Sequence, residues 1–445
     1  MTVFRIGSGA GYSGDRIDPA RDLAERGQLD ALVFECLAER TISLAQLRRS
    51  ADPDAGFDPL LEARMRAVLP ACVAQGVTII TNMGAANPLA AGKAVLDVAR
   101  ELGLSRLRVA VVTGDDVLPW MLAHDVPLMD SGQTVRSLDG RLISANAYLG
   151  ADALLPALQA GADVVITGRV ADPALFLAPL MFHFGWAADD WPLLGQGIVV
   201  GHLLECAAQV SGGYIADPGF VEVPRLDEVG FPLAEVQADG TCVITKLAGT
   251  GGRVDRLTCT AQLLYELEDP GRYLQPDVTA DFSDVHLTEV GPDRVQVTGA
   301  RGHPRPDQLK VTLGYREGFI GEGQISYAGP GARARGERAL AVLERRLQCL
   351  GLDALEHRAE LIGVNAMHGA GLGADREPYE VRVRLAARTP TRVLAEQVGQ
   401  EVEALYLNGP AGGGGVTMSV REVVAVASTL IPRDAVRCQC EILEL

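Results

Sequence analysis

The first half of the chain is built from short apolar runs that alternate with amphipathic segments of about 10 to 20 residues. Strands separated by helices of that length form βαβ units, in which the strands run parallel and helices cover both faces of the sheet. The pattern therefore predicts an α/β fold with a mainly parallel, Rossmann-like sheet over residues 1–215. The predicted strands are Val3–Ile6, Ala31–Glu35, Val77–Asn82, Leu107–Thr113 and Val164–Thr167, and three of the predicted helices are Leu60–Gln75, Gly92–Leu102 and Ala151–Gly161.

From about residue 216 the pattern changes, because proline, glycine and aspartate become frequent and the apolar residues alternate with polar ones. Alternation of this kind predicts half-buried strands in a mixed or antiparallel sheet. We therefore expect a smaller α+β domain over residues 216–445, with a glycine loop near its carboxyl-terminal end. Its main predicted elements are the strands Cys242–Leu247, Arg294–Thr298 and Leu309–Tyr315 and the helix Ala332–Leu350.

Charge and cysteine usage narrow the classes of partner. The chain has 57 acidic and 40 basic residues, a net charge of −17, and no basic run with interleaved aromatic residues, so nucleic acid is not an expected partner. No apolar stretch is long enough for a membrane span, and the amino terminus lacks the apolar segment of a signal peptide. Eight scattered cysteines favour a reducing compartment. We expect a cytoplasmic protein without a membrane partner.

In parallel sheets the reactive loops follow the carboxyl ends of the strands. The first such loop contains the candidate binding residues Gly9, Gly11, Ser13 and Gly14 and the candidate catalytic acid Asp15. Glycines permit positive φ and allow backbone N–H groups to converge on an anion. Glu35 follows the next strand, where a dinucleotide fold would place its ribose-binding acid, but Asp18-Pro19 indicates that the helix begins only after the glycines. A phosphate or substrate cradle, a plain tight turn and a nicotinamide site remain alternatives.

The second loop combines two carboxylates, a thiol and a guanidinium after a buried strand. Partial burial would raise the pKa of Glu35 and suit it to be a general base. Cys36 is a weaker candidate nucleophile, because no histidine is near it in sequence. The alternative is that Glu39 and Arg40 are solvated and Glu35 caps a helix or pairs with Arg16.

Two further loops supply polar groups. Asn82 and Asn87 could orient a ligand through their carboxamides, although Asn87 also precedes a proline at which a helix could begin. Arg169 could bind a carboxylate with two hydrogen bonds. Asp172 is a candidate catalytic acid, with a helix N-cap as the favoured alternative.

The remaining candidates lie on a helix and on two glycine clusters. His202 and Cys206 are four residues apart and could share a helix face, but such a pair is more often part of the core, and no metal site is predicted. Lys246, next to a glycine cluster, and the late glycines Gly412 and Gly413 are candidate binding residues for a phosphate or a pantetheine arm.

Several strings of residues resemble the acyclic terpene utilisation (AtuA-like) family, formerly a domain of unknown function. The resemblance covers nearly the whole chain and implies a role in the breakdown of terpenes through branched acyl-CoA thioesters. It implies no catalytic residues. The strings are the residues 6–16, 32–41, 81–88, 168–174, 202–206, 212–214 and 408–411.

Three functional hypotheses follow. The leading one is a hydratase or carbon–carbon lyase that acts on a small carboxylate or an acyl-CoA thioester, with Glu35 as the base and Arg169 as a carboxylate clamp. The second is a non-catalytic subunit of a catabolic complex, and the third is a nicotinamide-dependent oxidoreductase. A homo-oligomer is compatible with each. The chain lacks the G-x-S-x-G, Walker and H-E-x-x-H motifs of other enzyme classes.

Overall fold

The computed structural model describes residues 3–129, 131–369, 371–372 and 377–445. The chain forms two compact units: the first contains the residues up to Gly314 together with Val426–Leu445, and the second contains Tyr315–Ala425. The boundary thus lies about 100 residues later than the change of sequence pattern near residue 216. The physical reason is strand pairing, since strands from residues 232–298 extend the sheet of the first unit.

Both classes of secondary structure occur throughout the described residues. The strands, in chain order, are β1 (Phe4–Ala10), β2 (Ala31–Phe34), β3 (Thr78–Thr81), β4 (Arg108–Thr113), β5 (Leu142–Ala147), β6 (Val164–Thr167), β7 (Pro232–Val236), β8 (Cys242–Lys246), β9 (Tyr273–Leu274), β10 (Thr279–Asp281), β11 (His286–Gly291), β12 (Arg294–Thr298), β13 (Arg301–His303), β14 (Gln308–Ala328), β15 (His357–Ile362), β16 (Glu380–Thr389), β17 (Gly414–Pro432) and β18 (Gln439–Glu444). The helices are α1 (Asp18–Arg26), α2 (Glu39–Ala51), α3 (Leu61–Gln75), α4 (Pro88–Glu101), α5 (Leu118–Ala123), α6 (Leu155–Gln159), α7 (Ala174–Phe184), α8 (Trp191–Leu204), α9 (Arg256–Leu263), α10 (Ala332–Leu350), α11 (Arg392–Glu403) and α12 (Leu405–Asn408).

The main sheet of the first unit mixes parallel and antiparallel strands, in the order β11-β12-β8-β7-β1-β2-β3-β6-β4-β18. The central strands β1, β2, β3, β6 and β4 are parallel, whereas the flanking strands pair antiparallel. This confirms the predicted α/β class in a coarser form, a mixed sheet. The strand order differs from the 3-2-1-4-5-6 order of the dinucleotide-binding fold.

Each central strand is buried on both faces, as its nearly continuous apolar sequence predicts. In β2, Leu32 and Phe34 join a core that also contains side chains of α1, α3 and α4. Ala31 and Val33 point to the other face and join a core with α6, α7 and α8. This two-sided burial holds the strands rigidly and leaves their carboxyl ends as one edge from which loops emerge.

The second unit contains an antiparallel sheet with helices packed on one of its faces. Its strands follow the order β15-β16-β14-β17. Val381, Val383 and Leu385 of β16 face a core that includes side chains of α10 and α11, while the alternate residues Arg382 and Arg384 face away and form hydrogen bonds and ion pairs. Period-two alternation therefore separates an apolar from a charged face.

Element boundaries follow the sequence closely where the apolar period is strong. The predicted strand Val164–Thr167 and the predicted helix Ala332–Leu350 are confirmed. The predicted helix Ala151–Gly161 is instead a 3₁₀ turn followed by the short α6. In the part of the chain that the structure describes, no helix has both the length and the apolarity that crossing a bilayer requires.

Candidate functional site

The polar residues predicted from sequence converge at the carboxyl ends of neighbouring strands. Glu35 directly follows β2, Asn82 follows β3, and Arg169 and Asp172 follow β6. Because β2, β3 and β6 are adjacent and parallel, these side chains emerge at one edge. The Arg169 guanidinium donates a hydrogen bond to the carbonyl of Leu37, two residues after Glu35. The sequence prediction that Glu35 and Arg169 lie close together therefore agrees with the structure.

Glu35 is a buried carboxyl held by two donors. Its Oε1 accepts hydrogen bonds from the backbone N–H of Leu37 at 2.8 Å and from Nδ2 of Asn82 at 2.9 Å. Asn82 is fixed in turn, because its Oδ1 accepts from the N–H of Cys36 at 2.8 Å. Burial raises the pKa of Glu35, and the Arg169 charge and these hydrogen bonds oppose that rise. Glu35 is thus neither a helix cap nor a partner of Arg16, whose Nη1 binds the Asp227 carbonyl.

Arg169 is committed to protein groups. Only 2% of the residue is exposed, its two terminal nitrogens bind the Leu37 carbonyl and Asp172, and its guanidinium carbon lies 4.2 Å from the centre of the Tyr148 ring. Its backbone N–H donates to the buried Asp115 at 2.8 Å. A substrate carboxylate could not reach this guanidinium, so the predicted clamp role is not supported. Arg169 instead orients Asp172.

Asp172 is the most accessible of the raised-pKa carboxyls at this edge, with 32% of its side chain exposed. Desolvation raises its pKa to about 8; Arg169 opposes the rise, and Glu35 and Glu39 add to it. The favoured alternative from sequence, an N-cap, is wrong: α7 has no side-chain cap, because the Asp172 carboxylate turns to Arg169. A carboxyl that stays protonated at neutral pH can donate a proton or a hydrogen bond.

Behind Asp172 lies a buried histidine–glutamate pair. His202 Nδ1 is 3.1 Å from Oε1 of Glu205, and its Nε2 is 3.1 Å from the carbonyl of Leu263. Burial raises the pKa of Glu205 to about 7, opposed by His202 and assisted by Asp172. His202 therefore uses both ring nitrogens on protein groups. Among the described residues no group of three or more histidine, cysteine or acidic side chains is arranged to hold a metal ion.

Three partly exposed side chains form the outer part of the site. Tyr148, which follows β5, donates its hydroxyl hydrogen bond to Glu39. Lys310 of β14 lies with Nζ 3.4 Å from Oε1 of Glu39 and 4.9 Å from the centre of the Tyr148 ring. Burial opposes ionisation of Glu39, but Tyr148, Arg169 and Lys310 outweigh it and hold its pKa at about 2. Glu39 is thus ionised and paired, rather than free in solvent, whereas Arg40 is exposed as predicted.

The glycine loop is shaped by close packing and not by positive φ. Neither Gly9, Gly11 nor Gly14 adopts a positive φ, so the expected need for that conformation is wrong. A Cβ on Gly9 would lie 2.6 Å from the ring of Phe34, and one on Gly11 would lie 2.5 Å from the Cys206 carbonyl carbon. The glycines therefore let β1 and its loop lie directly against the turn at Cys206, just after α8, and against β2, which precedes Glu35.

Asp15 and Arg64 hold the glycine loop from within. Asp15 accepts from the N–H of Gly11 at 3.0 Å, and burial raises its pKa. Arg64 is fully buried and donates to the carbonyls of residues 12, 13 and 15, so Ser13 contributes its carbonyl to this network. Both oxygens of Asp15 bind backbone N–H groups, which indicates loop ordering as its first role.

Cys36 lies beneath the site as a buried thiol. Its Sγ is 3.3 Å from Nη1 of Arg64, but burial raises its pKa well above the ordinary value, and Arg64 only partly opposes this. The thiolate is the nucleophilic form of cysteine, so these surroundings argue against the predicted nucleophile.

Four other residues that were predicted to belong to the site lie outside the carboxyl cluster. Asn87 caps α4 and binds the carbonyls of Pro53 and Ala55, so its alternative interpretation as a helix start is confirmed. Lys246 is buried and pairs with Asp293 and the Thr250 carbonyl instead of facing a ligand. Gly412 and Gly413 belong to the second unit, where Gly412 has a φ of +78°.

Sequence reasoning missed Tyr148, Lys310 and Asp115. Tyr148 directly follows β5 and Lys310 lies in β14, two strands that pair although they are far apart in the chain. A usable signal existed for Lys310, which is one of only three lysines in the sequence. The described cavity of about 170 Å³ in the first unit lies elsewhere, between α1 and the loops 225–231 and 247–250, so it does not coincide with the carboxyl cluster.

The comparison with known families agrees with the sequence resemblance. The model of the family described as acyclic terpene utilisation family protein AtuA matches residues 4–442. The chain belongs to this family. The match includes every strand and loop that builds the AtuA-family site described above. No curated protein and no solved structure matched the chain.

Proposed function

We propose that this AtuA-family protein is an enzyme that transfers a proton on a small carboxylate or an acyl-CoA thioester, in a reaction of the hydratase or carbon–carbon lyase type. One observation carries the proposal: Asp172 is a partly exposed carboxyl whose pKa is raised to about 8. The buried Glu35 carboxyl and the buried Arg169 guanidinium act on it. A side chain that titrates near neutral pH is suited to both general acid and general base catalysis.

Asp172 takes the central role in this proposal, and Glu35 takes a supporting one. Asp172 gives a proton to the substrate or removes one from the carbon next to its carbonyl, while Arg169 holds the Asp172 carboxyl in place. Glu35 is only 8% exposed, so it acts on the pKa of Asp172 and not on the substrate directly. The family's link to terpene breakdown is compatible with an acyl thioester substrate, and a role within a catabolic complex is compatible with the same site.

Hydrogen exchange into substrates tests the proposal without knowledge of the net reaction. In D₂O the wild-type protein is expected to incorporate deuterium next to the carbonyl of short acyl-CoA thioesters or carboxylates, measured by mass spectrometry. Asp172→Asn should slow this exchange by about 10²- to 10⁴-fold, the usual contribution of general acid–base catalysis. The control is Asp189→Asn, which changes an exposed carboxylate outside the site. Unchanged exchange in Asp172→Asn, with the fold retained, would remove Asp172 from the role.

Glu35→Gln separates the supporting role from the central one. Glutamine keeps the oxygen that accepts from Leu37 and Asn82 but loses the negative charge. Because Glu35 contributes to the raised pKa of Asp172, the inflection of the pH–rate profile that reports Asp172 should move to lower pH in Glu35→Gln. A profile that stays in place would show that Glu35 does not act through Asp172.

A further inference from the structure

Lysine is rare in this chain: three of the 40 basic residues, Lys93, Lys246 and Lys310, are lysine. Lys93 is exposed on α4, and Lys246 is buried against Asp293. Lys310 alone of the three lies at the site, with 42% of its side chain exposed. A chain that otherwise uses arginine for its positive charges thus places a compact ammonium group beside Tyr148 and Glu39.

The contacts of Lys310 connect it to the proposed proton-transfer group. The Tyr148 ring has the Lys310 ammonium 4.9 Å and the Arg169 guanidinium carbon 4.2 Å from its centre. Arg169 in turn binds Asp172, and the charge of Glu39 acts on Asp172. Lys310 and Asp172 therefore belong to one network of contacts and are both partly open to solvent.

One solvent-accessible cation at the site can contact an anion even though the whole chain is acidic. Arg169 is positive but buried, so Lys310 is the cation of this network that a ligand can reach. Glu39 offsets one positive charge, and Asp172 is largely protonated below about pH 8. A protonated Asp172 adds no negative charge against an anion held by Lys310, within a chain of net charge −17.

We propose that Lys310 is the anchor for a free carboxylate group of the substrate, at the partly exposed end of the network that also contains Tyr148, Arg169 and Asp172. The inference rests on the proposed function and narrows it, because the substrate then carries a carboxylate. Partial burial would lower the pKa of Lys310, but Tyr148 and Glu39 outweigh it and raise the pKa. The ammonium form persists at neutral pH, which suits an anion anchor and not an amine nucleophile.

Binding of simple ligands tests the anchor independently of turnover. The probes are butyrate and its neutral analogue butanamide, titrated at neutral pH and followed by ligand-observed NMR. The wild-type protein should prefer butyrate, and Lys310→Met should weaken butyrate binding by about 10- to 100-fold, the loss expected for a hydrogen bond to a charged group. Binding of butanamide should stay the same. Lys310→Arg should retain part of the preference, and Lys93→Met, the matched control, should retain all of it.

The outcomes separate the anchor from the proposed function. Equal affinities of wild type and Lys310→Met for butyrate, or no preference of the wild type for butyrate over butanamide, would overturn the anchor, whether or not the protein exchanges substrate hydrogen. A Lys310-dependent preference without any hydrogen exchange would support the anchor and contradict the proposed function. Circular dichroism of Lys310→Met checks its fold, and the charge-retaining Lys310→Arg keeps the test decisive if Lys310→Met unfolds.

Discussion

Two clusters of arginine and carboxyl side chains in this protein shift the pKa of their carboxyls in opposite directions. At the site of the first unit, burial raises the pKa of Asp172 to about 8 and that of Glu205 to about 7. On the sheet of the second unit, Arg384 binds Glu322 and Glu360. There burial of Glu322 is outweighed by its hydrogen bonds from Arg384 and Gln324, and the pKa of Glu322 is lowered.

The difference lies in the ratio of carboxyls to cations and in the access of water. At the site of the first unit the buried Arg169 guanidinium lies among Glu35, Glu39 and Asp172, and Asp172, with a pKa of about 8, remains protonated at neutral pH. In the second unit the carboxylates contact arginines that are partly solvated, so all opposite charges are satisfied at low cost. A perturbed pKa with a specific partner marks a functional site, whereas the second pattern is typical of a structural ion-pair network.

Removal of one arginine from each cluster should give the largest contrast. Arg169→Met leaves buried carboxyls without their cation, and loss of one partner of a buried pair costs about 3–5 kcal/mol. Arg384→Met removes a guanidinium whose side chain is 25% exposed, and it should cost about 1 kcal/mol or less. Urea unfolding curves measure both. Equal losses in the two variants would show that the clusters do not differ in this way.

A methyl group added to one glycine in each unit should give a smaller contrast. The Cβ of Gly11→Ala would lie 2.5 Å from the backbone of Cys206, which yields less readily than the end of a side chain, so we expect a loss of about 1–3 kcal/mol. The Cβ of Gly413→Ala would approach only the ends of the Ile325 and Tyr327 side chains, at 2.8 and 3.1 Å, and should cost less than about 1 kcal/mol. Thermal unfolding checks both, and a milder effect at Gly11 would contradict the close approach of the loop.

The two clusters should also respond to pH with opposite signs, the smallest of the expected effects. Asp172 ionises near 3.8 in the unfolded chain and near 8 in the folded protein, so folding takes up a proton between these values and stability falls as pH rises through about 8. Glu322 has a lowered pKa, so its contribution is present above the unfolded value and is lost as pH falls.

Matched variants assign each limb of the stability–pH curve. Asp172→Asn should flatten the decline in stability between about pH 4 and pH 8, and Glu322→Gln should flatten the decline at acid pH. Urea midpoints from acid to alkaline pH measure the curve. If Asp172→Asn leaves the decline between about pH 4 and pH 8 unchanged, the raised pKa of Asp172 is not supported.

Local sequence pattern predicted elements of both units. The strand Val164–Thr167 and the helix Ala332–Leu350 were predictable because their apolar period is continuous. The meeting of Glu35, Asn82 and Arg169 at one edge also followed, since the loops after parallel strands share that edge. The boundary between units was not predictable in this way, because it depends on which sheet β7, β8 and β18 join.

The amino-acid sequence by itself determined the α/β class, the strands of the parallel centre and the edge at which the acids gather, because burial of apolar residues obeys a local period. Tertiary structure alone decided that Arg169 binds the Leu37 carbonyl, that Cys36 lies beside Arg64, and that Tyr148 and Lys310 complete the site. Those partners are distant in the chain, and the pKa of each carboxyl depends on its depth and on the charges around it.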